Sequence, residues 1–458
     1  MPVQATRIKH LNDVDIRKGD YVLYWMQQSQ RAAYNHALEY AVQQANKLSQ
    51  PLMVGFGLTD DYPEANLRHY TFMLEGLMET RAALASRGIK MVLRRGQPPE
   101  VALELGRLAS IIVCDRGYLR HQRAWRRQVA KHARCPVVQL ESDVVVPVGV
   151  VSDKAEYAAR TIRPKIHRNL ETYLVDLKPT KAKHPSLGLK VNGLDPDHTG
   201  ELLRKLNLDR SVPPVSDLFR GGTSQAVNRF NGFIRRRLIH YDDHSNQPQT
   251  DDISHMSPYL HFGQISPLYL ALKIGRAADS LKTVKEAYIE QLIVRRELAM
   301  NFAYYTPDYD AYTCIPGWAE KTLAEHARDK RDYIYSRRQL ENAATHDAYW
   351  NASMLEMKHT GFMHNYMRMY WGKKILEWSE TPQKAFRTTL ALNNKYFLDG
   401  RDPNSYTGVA WIYGVHDRAW TERPIFGKTR YMAASGLERK CDIAAYVKKV
   451  NDLVKKVG

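Results

Sequence analysis

DYVLYWMQQSQRAAYNHALEYAVQQANKLSQPLMVGFGL, residues 20–58, decides the fold class. An apolar run, YVLYWM, is followed by a stretch at helical spacing and then by a second apolar run, LMVGFGL. Strands apolar along their whole length are covered on both faces, and a helix between two of them makes the pair parallel. The pattern continues through the helix NLRHYTFMLEGLMETRAALASRG and the strand IKMVLRRG, then PPEVALELGRLA and SIIVCDRG, then YLRHQRAWRRQVAKHA and PVVQLE. The expectation is an α/β domain over residues 1–175 with a doubly wound parallel sheet. It holds neither GxGxxG nor a P-loop, so no motif marks a dinucleotide or nucleoside triphosphate there.

Residues 176–218 change character. LKPTKAKHPSLGLKVNGLDPDHTGELLRKLNLDRSVPPVSD is rich in proline, glycine and lysine and reads as a long linker, wrapped on the surface, with one short helix. From 219 to 458 the β-branched runs vanish and helical patterns follow one another, which predicts an all-α domain.

The 458 residues are 44% hydrophobic and 25% charged, the composition of a globular protein. No run of about 18 apolar residues is present, so no spanning helix and no membrane partner are expected. The first twenty residues lack an apolar core, so no secretory signal is expected. The four cysteines form no CxxC pair, which argues against a metal site or a disulfide framework and fits a reducing cytoplasm. The net charge of +18 points to a polyanion such as nucleic acid, since cationic side chains release counterions from phosphates.

Six of the eight tryptophans lie at or beyond position 318. Trp371 and Trp378 are two turns apart on one helix face, about 10 Å along the axis. Trp350 would be about 31 Å from Trp371 in a straight helix, too far to work with it. Gly361 lies between them and is a plausible break, so a fold-back would bring Trp350 against the second helix. Spacing alone reads these as core tryptophans, since aromatic stripes usually serve packing.

TGFMHNYMRMYWGKKILEW at 360–378 resembles the photolyase/cryptochrome family, whose members carry a TGxMHNxxRM core. SHMSPYLHFGQIS at 254–266 is similar to the family's phosphate-binding segment. EQLIVRREL at 290–298, NNKYFLDGRDPNSYTGVAW at 393–411, HDRAW and ERPIFGKTRYM resemble specifically class II cyclobutane pyrimidine dimer photolyases. The resemblance runs from residue 20 to residue 432. It implies an N-terminal α/β domain, a linker and a helical FAD domain. It also implies light-driven repair of dimers in double-stranded DNA by a monomeric, cytoplasmic enzyme, associated with nucleoid or nucleus when on DNA. A deazaflavin or other antenna chromophore in the α/β domain is part of the same expectation, although no short motif decides its occupancy.

The resemblance assigns residues. Ser254, His255, Met256 and Ser257 match the FAD pyrophosphate segment, where N–H groups and hydroxyls meet phosphate, and Tyr241 an FAD-contacting tyrosine. Arg368 and Asp399 match a pair beside the flavin ring, with Gly400 and Arg401 in the same run, and Asn393 an amide near flavin N5. Trp371, Trp350 and Trp378, in that order outward, match the class II electron chain, with Tyr335 as a further donor. Met369, Trp411, Asn365 and the 290–298 helix match the lesion pocket, and Arg418, Arg423, Lys428 and Arg439 form a basic segment suited to phosphates. Three positions depart from the pattern: Gln291 stands where a glutamate is expected, Arg295 where some class II enzymes have tryptophan, and Ser245 where an arginine is common. On an α-helix Arg295 would share a face with Gln291, four residues before it, while Glu290 would point away. These departures bear on lesion affinity and repair yield. The competing functions are a cryptochrome-like photoreceptor, which usually carries a C-terminal extension where this chain ends at KKVG, and a basic nucleic-acid-binding module without catalysis.

Overall fold

The computed structural model describes residues 3–457. The chain divides into two compact units: Met1–Asp153 with Pro164–Phe230 and Met256–Ala277, and Lys154–Arg163 with Asn231–His255 and Ala278–Gly458.

The first unit is built on six strands: β1 (Ile8–His10), β2 (Tyr21–Trp25), β3 (Leu52–Leu58), β4 (Lys90–Arg95), β5 (Ala109–Asp115) and β6 (Val137–Leu140). Their order is β1-β6-β5-β2-β3-β4. Neighbours are parallel except at the edge, where β1 runs antiparallel to β6. Alternate residues of β2 explain the double winding. Val22 and Tyr24 enter one apolar core with Leu38 and Ala41 of helix His36–Lys47 and Leu74 and Leu77 of helix Leu67–Ala85. Tyr21, Leu23 and Trp25 enter another with Val101 and Leu105 of helix Pro98–Gly106 and Val129 of helix Arg120–His132. Successive strand side chains point to opposite faces, so both faces must be apolar, and every residue of β2, β3 and β5 is buried. β1 has one half-buried and two exposed residues and no apolar signature, and the sequence reading does not contain it.

Strand order reverses between β2 and β5, and ligands of open parallel sheets bind outside such a switch point. There Asp115 Oδ2 accepts the main-chain N–H groups of Gln27, Gln28 and Ser29 at 3.0, 2.9 and 3.0 Å, and Tyr24 Oη donates to Oδ1 at 2.6 Å. Burial, with Asp143 nearby, raises the Asp115 pKa against the pull of these donors. The loop after β2 is thereby fixed to the end of β5.

The compact units do not break at 175 and 218. Residues 164–230 stay with the sheet because the linker spends its apolar side chains there: Leu202, Leu206 and Leu208 are in the first core. Leu194 N–H donates to Leu93 O of β4 at 2.7 Å, and Leu67 N–H to Asp209 O at 2.9 Å. The segment from Met256 belongs to the same unit, since the rings of Tyr259 and Phe262 both lie 5.2 Å from that of Phe72.

The second unit is helical. Helix Asn365–Glu377 packs against Ala348–Thr360, Pro382–Tyr396 and Pro403–Ile412. Asp347 caps the Trp350 helix by accepting the N–H groups of Tyr349 and Trp350 at 2.9 and 3.0 Å, and its other oxygen takes the hydroxyl of Tyr370. The helix ends at Gly361, left-handed at φ 71°, where a side chain would be strained. Gly372 allows the closest helix approach, because a Cβ there would lie 2.0 Å from Ile412 Cδ1. Beside it the fully buried Lys373 donates to Ile412 O, and burial drives its pKa down to about 7 despite Asp417. Among the described residues no helix is long and apolar enough to cross a membrane.

Candidate active site

The reversal at Gly361 brings the three tryptophans together. Trp350 Nε1 donates to the main-chain carbonyl of Trp371 at 2.9 Å. The rings of Trp350 and Trp378 meet edge to face, with centroids 5.7 Å apart. All three indoles are at most 2% exposed. Tyr335 continues the row: its ring lies 5.4 Å from that of Trp378, and its N–H donates to Trp378 O at 3.1 Å. At the other end Trp371 lies 6.3 Å from the ring of Phe397.

Phe397 belongs to a charged cluster. Arg368 lies over it at 3.9 Å and donates through Nη2 to both oxygens of Asp399, at 3.1 and 3.0 Å. Arg368 Nε donates to Met363 O at 3.1 Å. With the stem so fixed, the guanidinium has one orientation. The 393–401 turn supports it. Asn393 Nδ2 donates to Ser405 Oγ at 2.7 Å and to Asn394 Oδ1 at 2.9 Å, which leaves Oδ1 of Asn393 to offer a ligand. Asn394 Oδ1 also takes the N–H of Arg401 at 3.2 Å, and Arg401 is left-handed at φ 65°. At Gly400 a Cβ would stand 3.0 Å from two main-chain oxygens, those of Asn393 and Phe397.

A second group lies toward Ser254. Tyr288 Oη donates to Ser254 Oγ at 3.0 Å, and the Tyr288 ring meets that of Tyr241 at 5.2 Å. His255 is left-handed at φ 55°, pairs through Nε2 with Asp251 at 2.7 Å, and lays its ring 4.7 Å from Phe362. Phe362 in turn lies under Arg368 at 5.7 Å, so the two groups share one wall. A left-handed non-glycine residue costs about 1–2 kcal/mol and persists where its surroundings over-determine it. Met256 is buried and Ser257 opens helix Ser257–His261, both counted with the first unit.

The 290–298 segment departs from the sequence expectation. Glu290–Arg295 is a π-helix, whose turns close from residue i to i+5. Arg295 Nε therefore meets Glu290, five positions before it, at 3.2 Å rather than Gln291. Arg163 grips the same carboxylate at 2.9 and 2.7 Å. Burial opposes the ionised form, but the two arginines outweigh it and hold the Glu290 pKa below the carboxylate range. Arg295 then lies over the Trp411 ring at 5.5 Å. Gln291 and Asn365 are exposed, Met369 and Ser245 partly so. His416, absent from the sequence reading, buttresses Trp411: its ring stands 6.5 Å from the indole, and burial lowers its pKa to about 4.

Arg418, Arg423, Lys428 and Arg439 are all exposed. Arg418 and Arg430 lie 5.4 and 5.3 Å from the Trp420 ring, and Arg423 5.0 Å from Tyr431. The loop is stapled by Trp420 N–H to Lys428 O at 2.8 Å and by paired bonds between Arg423 and Gly427. Its charges are thus presented on a fixed frame.

A deoxyribodipyrimidine photo-lyase of Methanothermobacter thermautotrophicus is 49% identical over 454 residues, 99% of this chain and 99% of its own. The chain belongs to the DNA photolyase family. A deoxyribodipyrimidine photo-lyase of Oryza sativa subsp. japonica is 40% identical and covers 98% of this chain and 91% of its own. The family model for DNA photolyase matches residues 22–186. The fold is also that of an archaeal photolyase from Sulfolobus tokodaii solved with two FAD molecules, at TM-score 0.69 and 15% identity over 95% of this chain and 93% of that one.

Within this photolyase, His364 is another residue the sequence reading passed over. It lies inside the quoted MHN motif and is 3% exposed, and its Nε2 has no partner among the described residues. Burial lowers its pKa to about 3. Nδ1 accepts the N–H of Tyr366 at 3.3 Å, so the neutral ring carries its proton on Nε2. The basic loop leads to a measurable expectation. With roughly six phosphates engaged, log affinity for duplex DNA should fall against log salt with a slope of about −5. Filter-binding titrations across salt check this, and a slope near zero would remove the loop from DNA binding.

Proposed function

We infer that this chain is a class II deoxyribodipyrimidine photolyase, which splits cyclobutane pyrimidine dimers in duplex DNA in light. The observation that carries the reading is the unbroken line of contact from the Arg368–Asp399 pair through Phe397 to Trp371, Trp350 and Trp378.

FAD fits the residues present. His364 Nε2 and Trp371 Nε1 are buried polar atoms without partners among the described residues, and such donors need an acceptor. Arg368 would hold negative charge on the ring system, with Asp399 keeping the guanidinium in plane, and Asn393 Oδ1 would face it as an acceptor. Ser254 and the strained His255 would hold the pyrophosphate, with Tyr241 behind them. When bound and reduced, FAD supplies the photoexcited electron that opens the dimer's ring bonds and recovers it afterwards.

The remaining work is done by the chain. A dimer must leave the helix, which costs a few kcal/mol and least at a poorly stacked lesion. Trp411 offers it an aromatic face, and Arg295 over that face offers donors to carbonyl oxygens. Glu290 holds Arg295 in place and is itself neutralised. Gln291, exposed, can both donate to and accept from a pyrimidine edge. The tryptophan row relays electrons inward. An antenna chromophore, a deazaflavin or another, belongs by the same reading at the β2–β5 switch point. By the same reading the enzyme acts as a monomer in the cytoplasm, associated with nucleoid or nuclear DNA when bound to its substrate.

Trp371→Phe should abolish light-driven reduction of the oxidised cofactor while protein reduced chemically beforehand still repairs. Photoreduction at the wild-type rate would reduce the row to packing. Gln291→Glu should leave repair unchanged or raised, because a carboxylate restores a charge-assisted contact at an exposed position. Repair yields compared under identical light decide it. A loss of about tenfold or more, equivalent to ~1.4 kcal/mol, would mean that the pocket does not use the class II contact at this position, and the lesion-site assignments would fall.

A further inference from the structure

The outer end of the row carries a pair that packing does not require. Tyr335 Oη lies 2.7 Å from His346 Nδ1 and accepts the main-chain N–H of His346 at 3.0 Å. With that lone pair engaged, the phenol proton is left to point at the imidazole. The imidazole is held in turn: the Tyr333 ring stacks on it at 3.8 Å with a 19° tilt, and the Trp378 edge meets it at 5.2 Å. Its loop is stiff, because Thr345 Oγ1 accepts the N–H of Asp347 at 3.2 Å and Asp347 caps the Trp350 helix. His346 is exposed, whereas Trp378 is 2% exposed.

We propose that His346 is the proton acceptor that makes Tyr335 the terminal electron donor of the row. The proposal rests on the tryptophans being an electron route. Once light has drawn an electron from Trp378, Tyr335 gives it one electron. The phenol O–H bond breaks and an N–H bond forms at His346 Nδ1. The products are neutral Trp378, a neutral tyrosyl radical and an imidazolium. A positive charge on a buried indole is costly, and the transfer moves it to a ring in contact with water. A base already in hydrogen-bond contact removes the need for a charged phenol along the way. A soluble one-electron reductant of the thiol class later restores Tyr335, and His346 returns the proton. The titratable side chains in contact with the imidazole are Tyr333 and Tyr335.

Flash absorption on the FAD-loaded protein tests this, with His346→Gln as the main variant, since glutamine accepts a hydrogen bond but takes no proton. In the wild type the tryptophanyl signal should pass into a tyrosyl signal. That step should slow in deuterium oxide. In His346→Gln it should slow by about a hundredfold, and Tyr335→Phe should show no tyrosyl signal. Nitrogen NMR of the flavin-free protein should find Nδ1 of His346 unprotonated. A tyrosyl signal of normal rate in His346→Gln, the absence of a deuterium effect, or a protonated Nδ1 would overturn the proposal. A tryptophanyl signal without a tyrosyl one sinks this pair alone. No tryptophanyl signal at all sinks the electron route and the proposal with it.

Discussion

The hydrogen bond from the Trp350 indole to the main-chain carbonyl of Trp371 sets the register between two helices, and the candidate site depends on that register. It puts Trp350 in edge contact with Trp378, and Trp371 toward Phe397 and Arg368. The bond is possible only because the chain reverses at Gly361, and the reversal is held from below by Asp347, which caps one helix and takes a hydroxyl from the other. Gly372 and Lys373 then bring helix Pro403–Ile412, with Trp411 near its end, onto the same scaffold. The tryptophan row and the placement of Trp411 therefore both depend on one helix, Asn365–Glu377.

Much of this was legible in the sequence, for identifiable reasons. Five strands announce themselves because strands buried on both faces must be apolar throughout, and Gly361 announces a reversal because few residues tolerate its backbone. The Arg368–Asp399 pairing was reached only through resemblance, since nothing local links residues on separate elements. β1 is not legible, because an edge strand of three residues, two of them exposed, carries no pattern. The linker was read as a separate segment, but its few leucines are enough to bind it to the sheet unit. The π-turns at Glu290–Arg295 were invisible because one extra residue per turn barely alters an apolar helix pattern, and the result was a face assignment pairing Arg295 with Gln291 instead of Glu290. His364 and His416 carry no signal of their own, because a histidine packed inside or near a core looks, in sequence, like any other.

Electrostatics divide the molecule's charge into two kinds. The net +18 is mostly surface charge, and the arginines that flank Trp420 and Tyr431 show how it is displayed: guanidinium planes rest on aromatic rings that keep them extended toward solvent. Arg163, Arg295 and Arg368 are different. Each is tied to a carboxylate in a partly buried setting, so each contributes direction more than net charge.

The central claim is that these residues serve light-driven repair and not light sensing alone. The most direct measurement is the count of cyclobutane dimers remaining in irradiated duplex DNA after incubation with the purified protein, its FAD reduced beforehand, in light and in darkness. The account predicts that dimers disappear in light and persist in the dark. Dimers that persist in light, with reduced FAD bound and the DNA held by the protein, would contradict it and would favour a photoreceptor.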